Sequence, residues 1–258
     1  MIFGNIATYP PRVANLPRVL ATIAPQVDRL TIVMNQFEDV PSGLKIPKNT
    51  EIILPDKDYK DVGKFLPDTS GSDYVFLFDD DIVYPDDYTS RSLKLISKIA
   101  PEDSAWGYHA SWYEKPNFDW SFPSLKARWR LFRHVGHINS FRKVHFFGHA
   151  LQQPTIVDQL GTGTAIIRTE SMPSMEYMDG SQCFVDVRFA RWCFESRIRQ
   201  IALPRIEGWL RELDHDEAIY KSFTSSTPKH VSREIRKFAF RRELSIQTVH
   251  PKIKTGYQ

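Results

Sequence analysis

The strongest constraint on this chain is a five-residue apolar run, Tyr74-Val75-Phe76-Leu77-Phe78, that leads straight into three carboxylates, Asp79-Asp80-Asp81. The run is too short for a buried helix and shows no polar alternation, so it reads as a strand covered on both faces. Such strands belong to parallel sheets flanked by helices, and ligands of these sheets gather at the carboxyl ends of the strands.

The rest of the first hundred residues agrees. Met1–Ala7 is an apolar strand interrupted by Tyr9-Pro10-Pro11. Leu16, Val19, Leu20 and Ile23 fall at helical spacing within 13–23. Strands follow at Arg29–Asn35 and Thr50–Leu54, and Asp61–Phe65 opens a short helix. Thr8, Asn35, Asp56 and Asp79 all lie at or just beyond strand ends. Further on, 92–99 reads as a helix, 104–155 as an irregular aromatic and basic insertion, 185–197 as a helix, and 198–203 as a strand stopped by Pro204. A segment as long as 104–155 without regular pattern signals a lid or an inserted subdomain. The expected organisation is therefore a catalytic α/β domain over 1–227, with the insertion inside it, and a basic helical extension over 228–258.

Composition narrows the partners. A net charge of +3 in 258 residues, without a basic fold motif, argues against nucleic acid. Cys183 and Cys193, ten residues apart in one helical region, make no disulfide framework and suit a reducing compartment. No apolar run approaches the roughly 20 residues of a spanning helix, and 1–8 lacks the form of a signal peptide. The expected location is the cytoplasm, with peripheral contact at the inner face of a membrane left open.

Three adjacent carboxylates at a buried strand end repel one another, and a hard divalent cation, Mn²⁺ or Mg²⁺, is the natural compensation. Strand alternation puts Asp79 and Asp81 on one side and Asp80 on the other. The competing reading is a solvated acidic turn extended by Asp86 and Asp87.

Several ordered segments resemble the family 2-like glycosyltransferases with a GT-A fold. Ala7-Thr8-Tyr9-Pro10-Pro11-Arg12 resembles the segment that receives the nucleotide base, and Val33-Met34-Asn35 the end of the second strand. Asp61-Val62-Gly63-Lys64-Phe65 is similar to a Gly-Asp-x-Gly-Lys element, with Lys60 in place of the first glycine. Phe78 to Tyr88 is close to the family's DxD region. The likeness covers residues 1–100 well and the remainder loosely.

The resemblance implies a mainly parallel, Rossmann-like mixed sheet and metal-dependent transfer from a nucleotide-sugar, UDP by family habit, to a glycan or lipid-linked acceptor, as in bacterial surface polysaccharide synthesis. It implies that Thr8, Tyr9, Arg12, Asn35, Asp56, Lys64, Asp79 and Asp80 contact the nucleotide. Asp81 would hold the metal, with His215 as a weaker ligand. Gly161-Thr162-Gly163-Thr164 would form the acceptor-side turn, where small residues let a sugar approach the backbone; a plain hairpin-type turn is the other reading. The general base would be an acid near the start of a helix, Asp186 first and Asp179 second. Asp186 also reads as an N-cap or first-turn acid favoured by the helix dipole.

Other features stay open. His134 and His137 have metal-ligand spacing but no matching Cys or acidic partner. Trp106, Trp112, Trp120 and Trp129 suit either sugar stacking or the core of a lid. In the tail, Val231, Ile235, Phe238 and Ala239 suggest a helix whose arginines face an anionic membrane, a phosphate-rich acceptor or plain solvent. Two further functions compete: a sugar-1-phosphate nucleotidyltransferase, disfavoured because 8–12 lacks a Gly-rich phosphate loop, and a non-catalytic carbohydrate-binding protein on a decayed transferase fold.

Overall fold

The computed structural model describes residues 1–99, 103–114, 122–133, 135–213 and 227–240. In chain order, its elements begin β1 (Ile2–Thr8), α1 (Leu16–Ile23), β2 (Arg29–Met34), β3 (Thr50–Ile53), β4 (Tyr74–Phe78), β5 (Ile82–Val83), α2 (Tyr88–Ile99), β6 (Ser104–Gly107) and β7 (Ala110–Tyr113). They continue with α3 (Phe122–Arg133), β8 (Arg142–His145), β9 (Thr155–Val157), β10 (Gln159–Leu160), β11 (Ile166–Arg168), α4 (Met175–Met178), α5 (Val185–Glu195), β12 (Arg199–Ala202), β13 (Arg211–Glu212) and α6 (Lys229–Phe238). The turns of 3-10 helix include Lys60–Phe65, Val135–Phe141 and Thr162–Thr164.

The protein is α/β. Its main sheet has eight strands in the order β3-β2-β1-β4-β11-β6-β12-β9. The first four run parallel, β11 is antiparallel to both its neighbours, β12 is parallel to β6, and β9 closes the far edge antiparallel. β10-β7-β8 and β13-β5 form two small antiparallel sheets.

β4 shows why the apolar run had to lie inside. Phe76 and Phe78 enter the cluster formed with α1 and α2, and Val75 and Leu77 enter the one formed with α5. Successive side chains of a strand point to opposite faces, so only a strand covered twice can be apolar throughout. Each such side chain contributes roughly 1.5–3 kcal/mol on burial. Gly4 on β1 leaves room for Phe78, because a Cβ there would sit 2.8 Å from the ring's Cε2.

α5 is buried on two sides. Val185, Phe189 and Cys193, at i, i+4 and i+8, pack towards the main sheet, and Val187 and Ala190 pack against Val231, Ile235 and Phe238 of α6. Arg188 and Glu234 lock the two helices with paired bonds of 2.8 and 2.9 Å.

Four expectations change here. Residues 104–107 are a strand of the main sheet, with Trp106 fully buried, so the irregular segment does not begin at 104. The helix expected at 92–99 starts at Tyr88, and the one expected at 13–23 starts at Leu16. The apolar face of the tail helix is spent on α5 and is unavailable to a membrane; residues 241–258 lie outside the described residues. Both cysteines are free, and among the described residues no helix is long and apolar enough to cross a membrane.

Candidate functional site

The carboxyl ends of β1 and β4 bring Arg12 and the acid run together. One guanidinium nitrogen of Arg12, Nη1, lies 2.7 Å from Asp80 Oδ1 and 2.7 Å from Asp81 Oδ2. The neighbouring acids hold the guanidinium well above its ordinary pKa against the opposing effect of its burial. Asp80 is buried, and burial pushes its carboxyl up while Arg12 pulls it down. Lys64, only 3% exposed, donates to Asp79 Oδ1. The repulsion within the acid run is thus balanced by two cations of the chain itself. The argument that the run requires a metal for compensation falls away, and a metal needs a separate case.

That case rests on a cavity of about 270 Å³. Asp79 and Asp81 line it and Asp80 does not. Asp61, Asp186 and Glu212 share the wall with them, against Arg12, Lys64 and Arg142. Five acids against three cations, all hard oxygen donors on the acidic side, suit a hard divalent cation held by one or two carboxylates and completed by substrate oxygens. They do not make a closed cage: among the described residues no three His, Cys, Asp or Glu side chains converge as metal ligands.

The Gly161–Thr164 turn joins the two halves of the site. A Cβ on Gly163 would lie 1.8 Å from Asp79 Oδ2, and one on Gly161 would lie 2.9 Å from His109 Cδ2. These glycines make room for the side chains of Asp79 and His109. Of the four turn residues, Thr162 lines the cavity. Its backbone N–H and hydroxyl both donate to Asp186 Oδ1, at 2.8 and 2.7 Å. Thr164 Oγ1 accepts the N–H groups of Tyr108 and His109 at 3.1 and 2.8 Å. His109 is held in its neutral form by burial, its pKa lowered to about 4.

Asp186 sits in the first turn of α5 and lines the cavity. Burial raises its pKa, and the two bonds from Thr162 oppose the rise. The helix's own capping position belongs to Phe184, so the carboxylate is committed to Thr162 and not to capping α5. Asp179 is elsewhere. It is exposed, held by Lys57 at 3.1 Å and by Gly180 N–H at 2.9 Å, and its pKa is lowered. It does not line the cavity.

The remaining expected residues divide. Thr8 is buried beneath the site, and Tyr9 is half-buried with the Arg12 guanidinium 5.7 Å from its ring centroid. Asn35 is buried and occupied: its amide donates to Lys60 O at 3.0 Å and its oxygen accepts Tyr59 N–H at 2.9 Å. It fastens the 59–60 backbone. Asp56 is exposed and outside the cavity wall. His215, His134 and Trp120 lie outside the described residues.

Two contributors had not been singled out. Asp61 lines the cavity, accepts Cys183 N–H at 2.9 Å, and is pushed by burial from the ordinary 3.8 up to about 6. Cys183 holds that N–H in place from a left-handed backbone, φ 68°, which a residue with a side chain adopts only under local constraint. Tyr84 is buried under the acid run; its hydroxyl accepts Asp79 N–H at 2.8 Å and donates to Gly163 O at 2.5 Å. Asp61 stands within the Asp61–Phe65 motif, so its spacing offered a signal; the reach of Tyr84 to Gly163 offered none.

No family model and no curated protein matches the chain. Among solved structures it is similar to A197 from STIV at 11% identity, over 84% of this chain and 95% of that one, with a TM-score of 0.39. A likeness at that level supports no statement about function.

Proposed function

We propose that this chain is an inverting, metal-dependent glycosyltransferase with a GT-A fold, taking a sugar from a nucleotide-sugar, UDP first among the nucleotides to test, to a glycan or lipid-linked hydroxyl. One observation carries the reading: two carboxylates at the carboxyl end of a parallel strand and a half-buried carboxylate at the start of a separate helix line one cavity. Ligands of open α/β sheets bind in this position.

A divalent cation held by Asp79 and Asp81 would supply charge stabilisation to the departing diphosphate. The other roles fall to the chain. Arg12 and Lys64 fix the carboxylates by ion pairs and keep positive charge beside the diphosphate position. Thr162 orients Asp186 through Oδ1, which leaves Oδ2 to accept the proton. As the acceptor oxygen bonds to the anomeric carbon, its proton passes to Asp186. The bond from that carbon to the diphosphate oxygen breaks, and its electron pair leaves with the nucleoside diphosphate. Burial brings the carboxyl closer to neutral pH, which is what a general base requires.

The test is metal-dependent donor hydrolysis across a panel of nucleotide-sugars, with Asp186→Asn beside the native chain. The native chain is expected to hydrolyse at least one donor, and the variant to lose about 10²–10⁴ in rate while still binding the nucleotide. Hydrolysis of none, or an unchanged variant, contradicts the proposal.

A further inference from the structure

Three large apolar side chains of α3 are exposed. Phe122 is 78% exposed, Leu125 42% and Trp129 52%. At i, i+3 and i+7 these residues occupy one face. Isolated exposed apolar residues need no explanation, but a face of Phe, Leu and Trp at helical spacing marks an interaction surface. The sequence of α3 also holds Lys126, Arg128, Arg130 and Arg133 and no acidic residue.

α6 carries a second basic feature. Lys229, Arg233 and Lys237, at i, i+4 and i+8, are exposed on α6. The one acid of that helix, Glu234, is taken up by Arg188 at 2.8 Å. α3 and α6 both pack against the 3-10 segment Val135–Phe141, and Asn139 of that segment donates to Thr227 just before α6. Asn139, Thr227, Val231 and Ile235 also form part of the cavity wall. The segment Val135–Phe141 thus links α3, α6 and the cavity wall.

We propose that α3 is a membrane-surface helix, which seats Phe122, Leu125 and Trp129 in the interface of an anionic lipid bilayer, with Lys229, Arg233 and Lys237 of α6 adding electrostatic attraction. At 12 residues α3 is too short to span, and a basic helix with aromatic and leucine residues on its apolar face has the composition of one that lies in the interface plane. Charge decides against a second copy of the same face: two helices, each basic and one of them without an acid, repel their own image. A bilayer rich in anionic headgroups attracts both, by about 1 kcal/mol per basic residue near its surface.

The experiment is flotation of the full chain with vesicles, which needs no turnover and so stands or falls apart from the transferase reading. Phosphatidylcholine vesicles are compared with vesicles that also contain phosphatidylglycerol. The chain is expected to float with the anionic vesicles and to be released by high salt, since surface electrostatics are screened. The triple variant Phe122→Ser, Leu125→Ser, Trp129→Ser is expected to lose binding with an unchanged melting profile, because all three sites are exposed. Removing the α6 charges, Lys229→Ala with Arg233→Ala and Lys237→Ala, should weaken binding by about fivefold per residue. No flotation with anionic vesicles, or equal flotation of the serine variant, overturns the proposal. So does sedimentation showing a lipid-free dimer that the serine variant abolishes.

Discussion

Arg12 Nη1 stands 2.7 Å from both Asp80 and Asp81, so a single nitrogen carries the charge balance of two adjacent carboxylates. Arg12→Met removes that nitrogen and leaves Asp80 buried without its cation. A buried pair broken on one side costs about 3–5 kcal/mol. Denaturant unfolding at neutral pH should show a loss of about that size, and the deficit should shrink on acidification, because protonated Asp80 no longer needs a partner.

Asp61 offers a pH test with a definite sign. Its folded-state pKa, about 6, lies above the ordinary 3.8, so the folded protein binds the proton more tightly than the unfolded chain. The proton-linked stability is complete below the lower value and is lost as pH rises through the upper one. Asp61→Asn keeps an oxygen for Cys183 N–H and carries no charge. It should stabilise the protein by about 3 kcal/mol at neutral pH and by much less in acid, as read from unfolding at several pH values. Turnover should fall in the same variant, since sites tuned for chemistry trade stability for it.

Gly163→Ala puts a methyl group where Asp79 Oδ2 now lies. Asp79 must move, and its contact with Lys64 goes with it. Overpacking of this kind costs about 1–3 kcal/mol, and metal-dependent nucleotide binding should drop as well. Gly43→Ala is the control: nothing lies within 4 Å of the added carbon, and both readouts should stay as they are.

Tyr84→Phe deletes one oxygen between Asp79 N–H and Gly163 O. Two buried backbone groups lose a partner, at about 1–3 kcal/mol for each group left unsatisfied. Because the ring stays, the loss should come with Asp79 held less firmly, visible as weaker nucleotide binding and a lower melting temperature together.

The strand-end acids were legible because the signal is local: an apolar run followed by carboxylates places itself at the end of a covered strand. Lys64 and Asp186 carried motif and helix-start signals of the same kind. β6 was hidden because Ser104-Ala105-Trp106-Gly107 has little strand character of its own; it is a strand through pairing with β11 and β12, some 60 to 95 residues away. The partners of Asn35 and Asp179 were hidden for a related reason. A short polar side chain at a strand end or in a turn serves a ligand or a distant piece of backbone according to what the fold brings beside it, and here it brought Tyr59, Lys60 and Lys57. The apolar period of α6 was visible in sequence, but its packing against α5 was not.

Calorimetric titration of the native chain with UDP, with and without Mn²⁺, is the most direct test of the cavity's assignment. Binding that requires Mn²⁺, and that disappears when Asp79 and Asp81 are both changed to Ala, is the expected result. UDP binding of equal strength in the double variant, or none at any Mn²⁺ concentration in the native chain, would contradict it.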